Sequence, residues 1–147
     1  MKQLISSLLV AAALVVTIPV TASESTYETQ KVVYHVNGGD VQQNRAAMRN
    51  IQNHINAVGA DRMDIRVVMH GPGLNLLINA LEDEQLQASI DSLKLQDVAF
   101  QVCANTLVSR NLDISSDLYD ATEADIIPSG VAHLSHLQLQ GFTYIKP

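Results

Sequence analysis

The chain has 147 residues, with 9 Lys and Arg against 15 Asp and Glu, for a formal net charge of −6. That balance leaves no basic stripe to displace counterions from a phosphate backbone, which argues against a nucleic-acid partner. Trp is absent and Phe and Tyr are few, so a stacking platform for sugars or single strands is also unsupported.

The N-terminus predicts export. Met1 and Lys2 give a positive start, Leu4 to Ile18 are uncharged and mostly apolar, and Val20-Thr21-Ala22 offers small residues suited to cleavage. The apolar run is short of the roughly 20 residues that a spanning helix needs. Residues 1–22 therefore read as a signal peptide, residues 23–30 as a flexible polar leader, and residues 31–147 as one domain. A retained anchor is the alternative and would leave the same domain outside the membrane. With the signal removed, the protein is expected to be periplasmic or secreted and free of the membrane. Exported domains often use cysteines in pairs, but Cys103 stands alone. It is buried and structural, paired with another molecule, or chemically used.

The first element of the domain is KVVYHV (31–36), a strand whose apolar residues fall on both faces, closed by Asn37-Gly38-Gly39-Asp40. Asp40 suits a helix N-cap with Gln43 as its partner, and Met48, Ile51, Ile55 and Val58 form one apolar stripe up to Gly59. MDIRVVMH (63–70) predicts a second strand that runs into Gly71-Pro72-Gly73. Leu74 to Leu81 predicts a short helix that packs on the sheet or on a sister subunit. Glu84 to Leu95 predicts another helix, with Leu86, Ile90 and Leu93 on one side. VAFQV (98–102) is the third strand, Cys103 sits at its end, and a short helix follows to about Arg110. Residues 113–124 are polar and partly helical. DIIPSG (125–130) holds a short fourth strand, Ser129 can cap a helix over 131–140, and FTYIK (142–146) is the last strand. Alternating strands and helices imply a three-layer α/β domain of about five mostly parallel strands, with right-handed crossovers and helices on both faces.

In such sheets, chemistry gathers at the carboxyl ends of the strands, near the point where strand order reverses. Three polar loops sit at such ends: Asn37-Gly38-Gly39, His70-Gly71-Pro72-Gly73 and Cys103-Ala104-Asn105-Thr106. If the first and third strands are neighbours, the first loop faces Cys103 across a crevice, with His70 at the same edge and up to one strand further away. A thiol at a helix N-terminus meets unpaired backbone N–H groups, which favour the nucleophilic thiolate. Glycines let main-chain amides approach an anion closely. Asn105 and Thr106 could add hydrogen bonds, and His70 could pair with the thiolate or move its proton.

The segments KVVYHVNGG, RVVMHGPGLNLL, FQVCANTL and DIIPSGVAHLSHLQLQGFTYIKP together resemble the DsrE/DsrF-like family of sulfur-relay and related small proteins. The resemblance covers residues 31–147 and is most specific at the strand-end cysteine and at the PSGV…YIKP ending. It implies a flavodoxin-like fold and a homo-oligomer, a trimer or hexamer. In relay members a cysteine in a Gln-[Leu/Val]-Cys context carries sulfur as a persulfide, and Gln101-Val102-Cys103 matches that position. The implied function is sulfur carriage or exchange on Cys103, with a protein or small sulfur compound as donor or acceptor and no cofactor. The residues expected to shape the site are Asn37, Gly38, Gly39, His70, Gly71, Asn105 and Thr106. The alternative is a non-catalytic oligomeric module that binds a small anion or sulfur compound in the same crevice. The chain departs from the best-known relay proteins, which are cytoplasmic and have an alanine-rich helix after the cysteine.

Other candidates are weaker. His133 and His136 share one side of a predicted helix, but a metal site needs a third ligand, so they read as solvated or interfacial and no metal is expected. His35 lies inside a strand and reads as a satisfied core histidine. The NGG turn lacks the spacing of a nucleotide-binding loop, and Asp117 to Asp125 read as a solvated acidic surface.

Overall fold

The computed structural model describes residues 26–147. The expected signal peptide, residues 1–22, and residues 23–25 of the expected leader lie outside the described residues. Five strands form a single parallel sheet: β1 (Gln30–Val36), β2 (Met63–Met69), β3 (Ala99–Cys103), β4 (Ile126–Ile127) and β5 (Thr143–Ile145). Their order is β4-β3-β2-β1-β5. β1 and β2 pair along their full lengths, from Gln30 opposite Met63 to Val36 opposite Met69. β5 adds to the other edge of β1, with Val33 opposite Tyr144. The strand order therefore reverses between β1 and β5, and β2 separates β1 from β3. The sequence-based arrangement in which β1 and β3 are neighbours does not occur.

The helices follow from local signals. Asp40 caps α1 (Val41–Val58) by accepting the Gln43 N–H at 2.9 Å, and the predicted stripe Met48, Ile51, Ile55 and Val58 is buried. The segment after β2 splits into a 3-10 turn (Gly71–Leu74) and α2 (Asn75–Asn79). Leu74, Leu76 and Leu77 are fully covered within this one chain, so no sister subunit is needed to bury them. α3 (Glu84–Lys94) buries Leu86, Ile90 and Leu93, and Asp83 caps it. α4 (Ala104–Arg110) follows Cys103 directly, and α5 (Ile114–Asp117) is one turn long. α6 (Gly130–Leu139) is capped by Ser129, whose hydroxyl accepts the Ala132 N–H.

Period-two alternation along β1 divides two cores. Val32, Tyr34 and Val36 join the larger one, with Ile65, Val67, Met69, Phe100 and Val102 from the sheet and the apolar faces of α1, α2 and α3. Val33, Val68, Ile127, Leu134, Leu137 and Phe142 make the smaller one beneath α6. Helices thus cover both sheet faces, as the alternating pattern predicts, in a three-layer, flavodoxin-like α/β domain.

The acidic run does structural work as well as facing solvent. Asp113 caps α5, Asp125 and Thr122 cap a 3-10 turn reciprocally, and Asp120 pairs with Lys94 at 2.7 Å. Among the described residues, no helix is long and apolar enough to cross a membrane.

Candidate functional site around Cys103

Cys103 is the last residue of β3 and the residue from which α4 starts. Its extended backbone (φ −73°, ψ 115°) turns the chain from strand to helix there. The residue is only 4% exposed, yet its surroundings are not aliphatic alone. The Gly130 N–H, first in α6, donates to Sγ at 3.2 Å. The turns that leave β3 and β4 therefore meet at the sulfur.

Burial pushes the thiol pKa up, and hydrogen bonds oppose it: the Gly130 N–H, the Thr106 hydroxyl and N–H, and the Asn105 N–H. The hydrogen bonds prevail, so the thiol is more acidic than an ordinary cysteine. Thr106, itself buried, links two loops. Its Oγ1 accepts the Gly71 N–H at 2.8 Å, and its hydroxyl helps lower the pKa of the Cys103 thiol. An open cavity of about 370 Å³ lies over this cluster, lined by His70, Gly71, Cys103, Asn105, Thr106 and Gly130, among others.

The residues singled out from sequence thus divide. Cys103, His70, Gly71, Asn105 and Thr106 line one cavity. Asn37, Gly38 and Gly39 do not, because β2 stands between their strand and β3. Asn37 and Gly38 border a small separate cleft with His35 and Lys146. Gly39 lies in a wide groove of about 1060 Å³ beside Arg45 and Asp83. His70 lies nearer to Cys103 than the first-and-third-strand arrangement implied, since β2 is the direct neighbour of β3.

Sequence reasoning did not single out Gly130, Tyr144 or Lys146 as site residues. A Cβ at Gly130 would stand 2.8 Å from the His70 Cβ and 3.1 Å from its Cδ2, so only glycine lets α6 start this close to the end of β2. His35 is a satisfied histidine, as its strand position suggests, but its partners belong to the sheet edge. Its Nδ1 lies 2.6 Å from the Tyr144 hydroxyl and its Nε2 lies 2.7 Å from Nε2 of His70. Burial first, then His70 and Lys146, push the His35 pKa down to about 4. Burial and Lys146 lower that of His70 as well. His133 reaches Gln101 at 3.0 Å, and His136 reaches Gln140. Among the described residues, no group of three or more His, Cys, Asp or Glu side chains is placed to hold a metal ion.

The family model described as the DsrE/DsrF-like family matches residues 30–147. The chain belongs to the DsrE/DsrF-like family. Among solved structures, it is similar to the protein of unknown function MTH1491 from Methanobacterium thermoautotrophicum, with 29% sequence identity and a TM-score of 0.69. The alignment covers 80% of this chain and 99% of that one. No curated protein matches. Membership of the DsrE/DsrF-like family places the chain among sulfur-relay-like proteins.

Proposed function

We propose that Cys103 carries or exchanges sulfur as a persulfide. In the forward step, the Cys103 thiolate attacks the outer sulfur of a persulfide donor. An Sγ–S bond forms, the donor S–S bond breaks, and the donor thiolate leaves with the electron pair. A second thiolate then takes the outer sulfur in the same way, so no external oxidant or reductant is required. The observation that carries this reading is the N–H of Gly130 on Sγ at 3.2 Å, which with Thr106 and Asn105 favours the anionic sulfur. The cavity beside it gives a small sulfur compound or a donor's terminal sulfur a place to approach.

The uncharged run after Lys2 supports an exported protein, periplasmic or secreted, and the family supports a homo-oligomer acting with a sulfur donor and acceptor. A second reading, a non-catalytic module that binds a small anion, draws on one observation: Cys103 is largely covered, while Gly71, Asn105, Thr106 and Gly130 line the open cavity beside it.

Incubation with a small persulfide, followed by intact-mass spectrometry, tests the first reading. The expected result is a reducible gain of one sulfur on Cys103, abolished in Cys103→Ser with the fold intact. A native protein that takes up no sulfane sulfur and resists alkylation at neutral pH would sink it. Retention of anion affinity in Cys103→Ser would then favour the binding module.

A further inference from the structure

The edge of the sheet beyond Cys103 carries three side chains whose hydrogen bonds run in series. Tyr144 Oη lies 2.6 Å from His35 Nδ1, and His35 Nε2 lies 2.7 Å from His70 Nε2. The two imidazole planes are 24° apart, with centroids separated by 4.7 Å. Tyr144 belongs to β5, His35 to β1, and His70 follows β2, so the series crosses the place where strand order reverses. One end is wet, since Tyr144 is 40% exposed. The other borders the Cys103 cavity, where His70 sits against Gly130, the donor to the sulfur.

Two ring nitrogens at that separation must share one proton, one ring donating and the other accepting. The two rings therefore hold complementary tautomers. Burial and the Lys146 charge favour the neutral form of both rings, and His70 adds to this at His35. The charged and titratable groups facing the pair are Lys146 and Tyr144 from the last strand and its end, with Cys103 across the cavity. With its Nε2 engaged by His35, His70 has only Nδ1 left, and among the described residues that atom has no hydrogen-bond partner.

We propose that Tyr144, His35 and His70 form a proton relay between solvent and the Cys103 cavity. The inference rests on the reading of Cys103 as a reactive thiol and deepens it. A proton leaving the thiol crosses the cavity that both residues line and reaches Nδ1 of His70, leaving the S–H electron pair on sulfur. His70 hands its Nε2 proton to His35 Nε2, His35 hands its Nδ1 proton to Tyr144, and Tyr144 releases its own hydroxyl proton to water. Each ring ends as the opposite neutral tautomer, one proton has crossed, and no charged ring is formed on the way. Run in reverse, the relay protonates a departing thiolate. His70 is the cavity-side end of the relay. His35 and Tyr144 are positioning residues that set its tautomer.

The test follows the ring nitrogens by long-range 1H–15N correlation in the full chain while Cys103 is titrated, with iodoacetamide alkylation reporting the thiolate. The relay starts with a bare Nδ1 on His70 and leaves Nδ1–H there once the proton has crossed. Both rings should therefore switch tautomer at the Cys103 midpoint, and the switch should vanish in Cys103→Ser. Tyr144→Phe cuts the path to solvent and His35→Gln cuts it between the rings, so in either variant His70 should no longer switch tautomer as Cys103 ionises. Tyr144→Phe, the smaller change, keeps the test alive should His35→Gln not fold. The relay is overturned if both rings keep their tautomers while Cys103 ionises, or if His70 still switches tautomer with Cys103 in Tyr144→Phe. Neither readout requires sulfur uptake, so a native protein that gains no sulfur but shows the switch loses the carrier reading and keeps the relay.

Discussion

Gly130 and Cys103 lie 27 positions apart in the chain, yet the backbone N–H of one donates to the sulfur of the other at 3.2 Å. That contact exists only because a glycine starts α6. In Gly130→Ala the new Cβ meets the anchored Cβ of His70 at 2.8 Å, and the helix must retreat. The donor then withdraws from the sulfur. The thiol midpoint should rise, with alkylation at pH 7 slower and stability lower by about 1–3 kcal/mol. Parallel alkylation and chemical denaturation check this. An alanine variant with unchanged thiol reactivity would remove Gly130 from the account.

Thr106 serves two masters, accepting from Gly71 and donating to Cys103. Thr106→Val keeps the shape and deletes both bonds, leaving the Gly71 N–H without its acceptor at a cost of about 1–3 kcal/mol. Its thiol midpoint should also rise. Thr106→Ser keeps the hydroxyl and should retain most of both properties, so a serine variant as impaired as the valine would point to packing of the methyl group instead.

Asn44 presents the opposite case. It is 1% exposed in the first turns of α1, and neither amide atom has a hydrogen-bond partner among the described residues. Asn44→Leu should be neutral or stabilising by up to about 1 kcal/mol, because the amide is desolvated without compensation. Urea titration measures it. A loss beyond about 2 kcal/mol would mean that the amide has a partner that the described residues do not supply.

Acid should weaken the fold through its histidines before its carboxylates. His35, His54, His70 and His133 all have pKa values lowered by burial, His35 to about 4. A depressed histidine binds fewer protons folded than unfolded. Its contribution to stability is therefore present above the unfolded value of 6.5 and is lost as pH falls toward 4. The thermal midpoint should decline through that window, and His35→Gln should flatten the decline. A midpoint that stays level down to pH 4 would contradict the assignment.

The alternation of strand and helix was legible because each signal is local: β-branched runs for strands, Asp40 and Ser129 at helix starts, apolar stripes along α1 and α3. The lateral order of parallel strands is not local. It is set by which crossover packs where, and nothing in Asn37-Gly38-Gly39 records that β2 will lie between it and Cys103. The cysteine and its following turn could be read because one strand-to-helix junction holds them. Gly130 supplies its N–H from another junction, and Tyr144 and Lys146 come from the end of β5. The rule that chemistry gathers at strand ends applies to β5 as much as to β1, and would have brought both residues into view. His35 was harder, since the alternation in β1 does not say how much of its sheet face α6 leaves open.

His35 and Tyr144 are 109 positions apart, and the strands that carry them are hydrogen-bonded neighbours. Until the final strand has been synthesised, β1 keeps a bare row of amides and carbonyls along its outer side, a template for association with other chains. Closing so distant a pairing is slow compared with forming the helical units in between. The histidine–tyrosine contact is therefore among the last to arise during biogenesis, and an incompletely made chain would present its cysteine before the machinery that governs the proton on it.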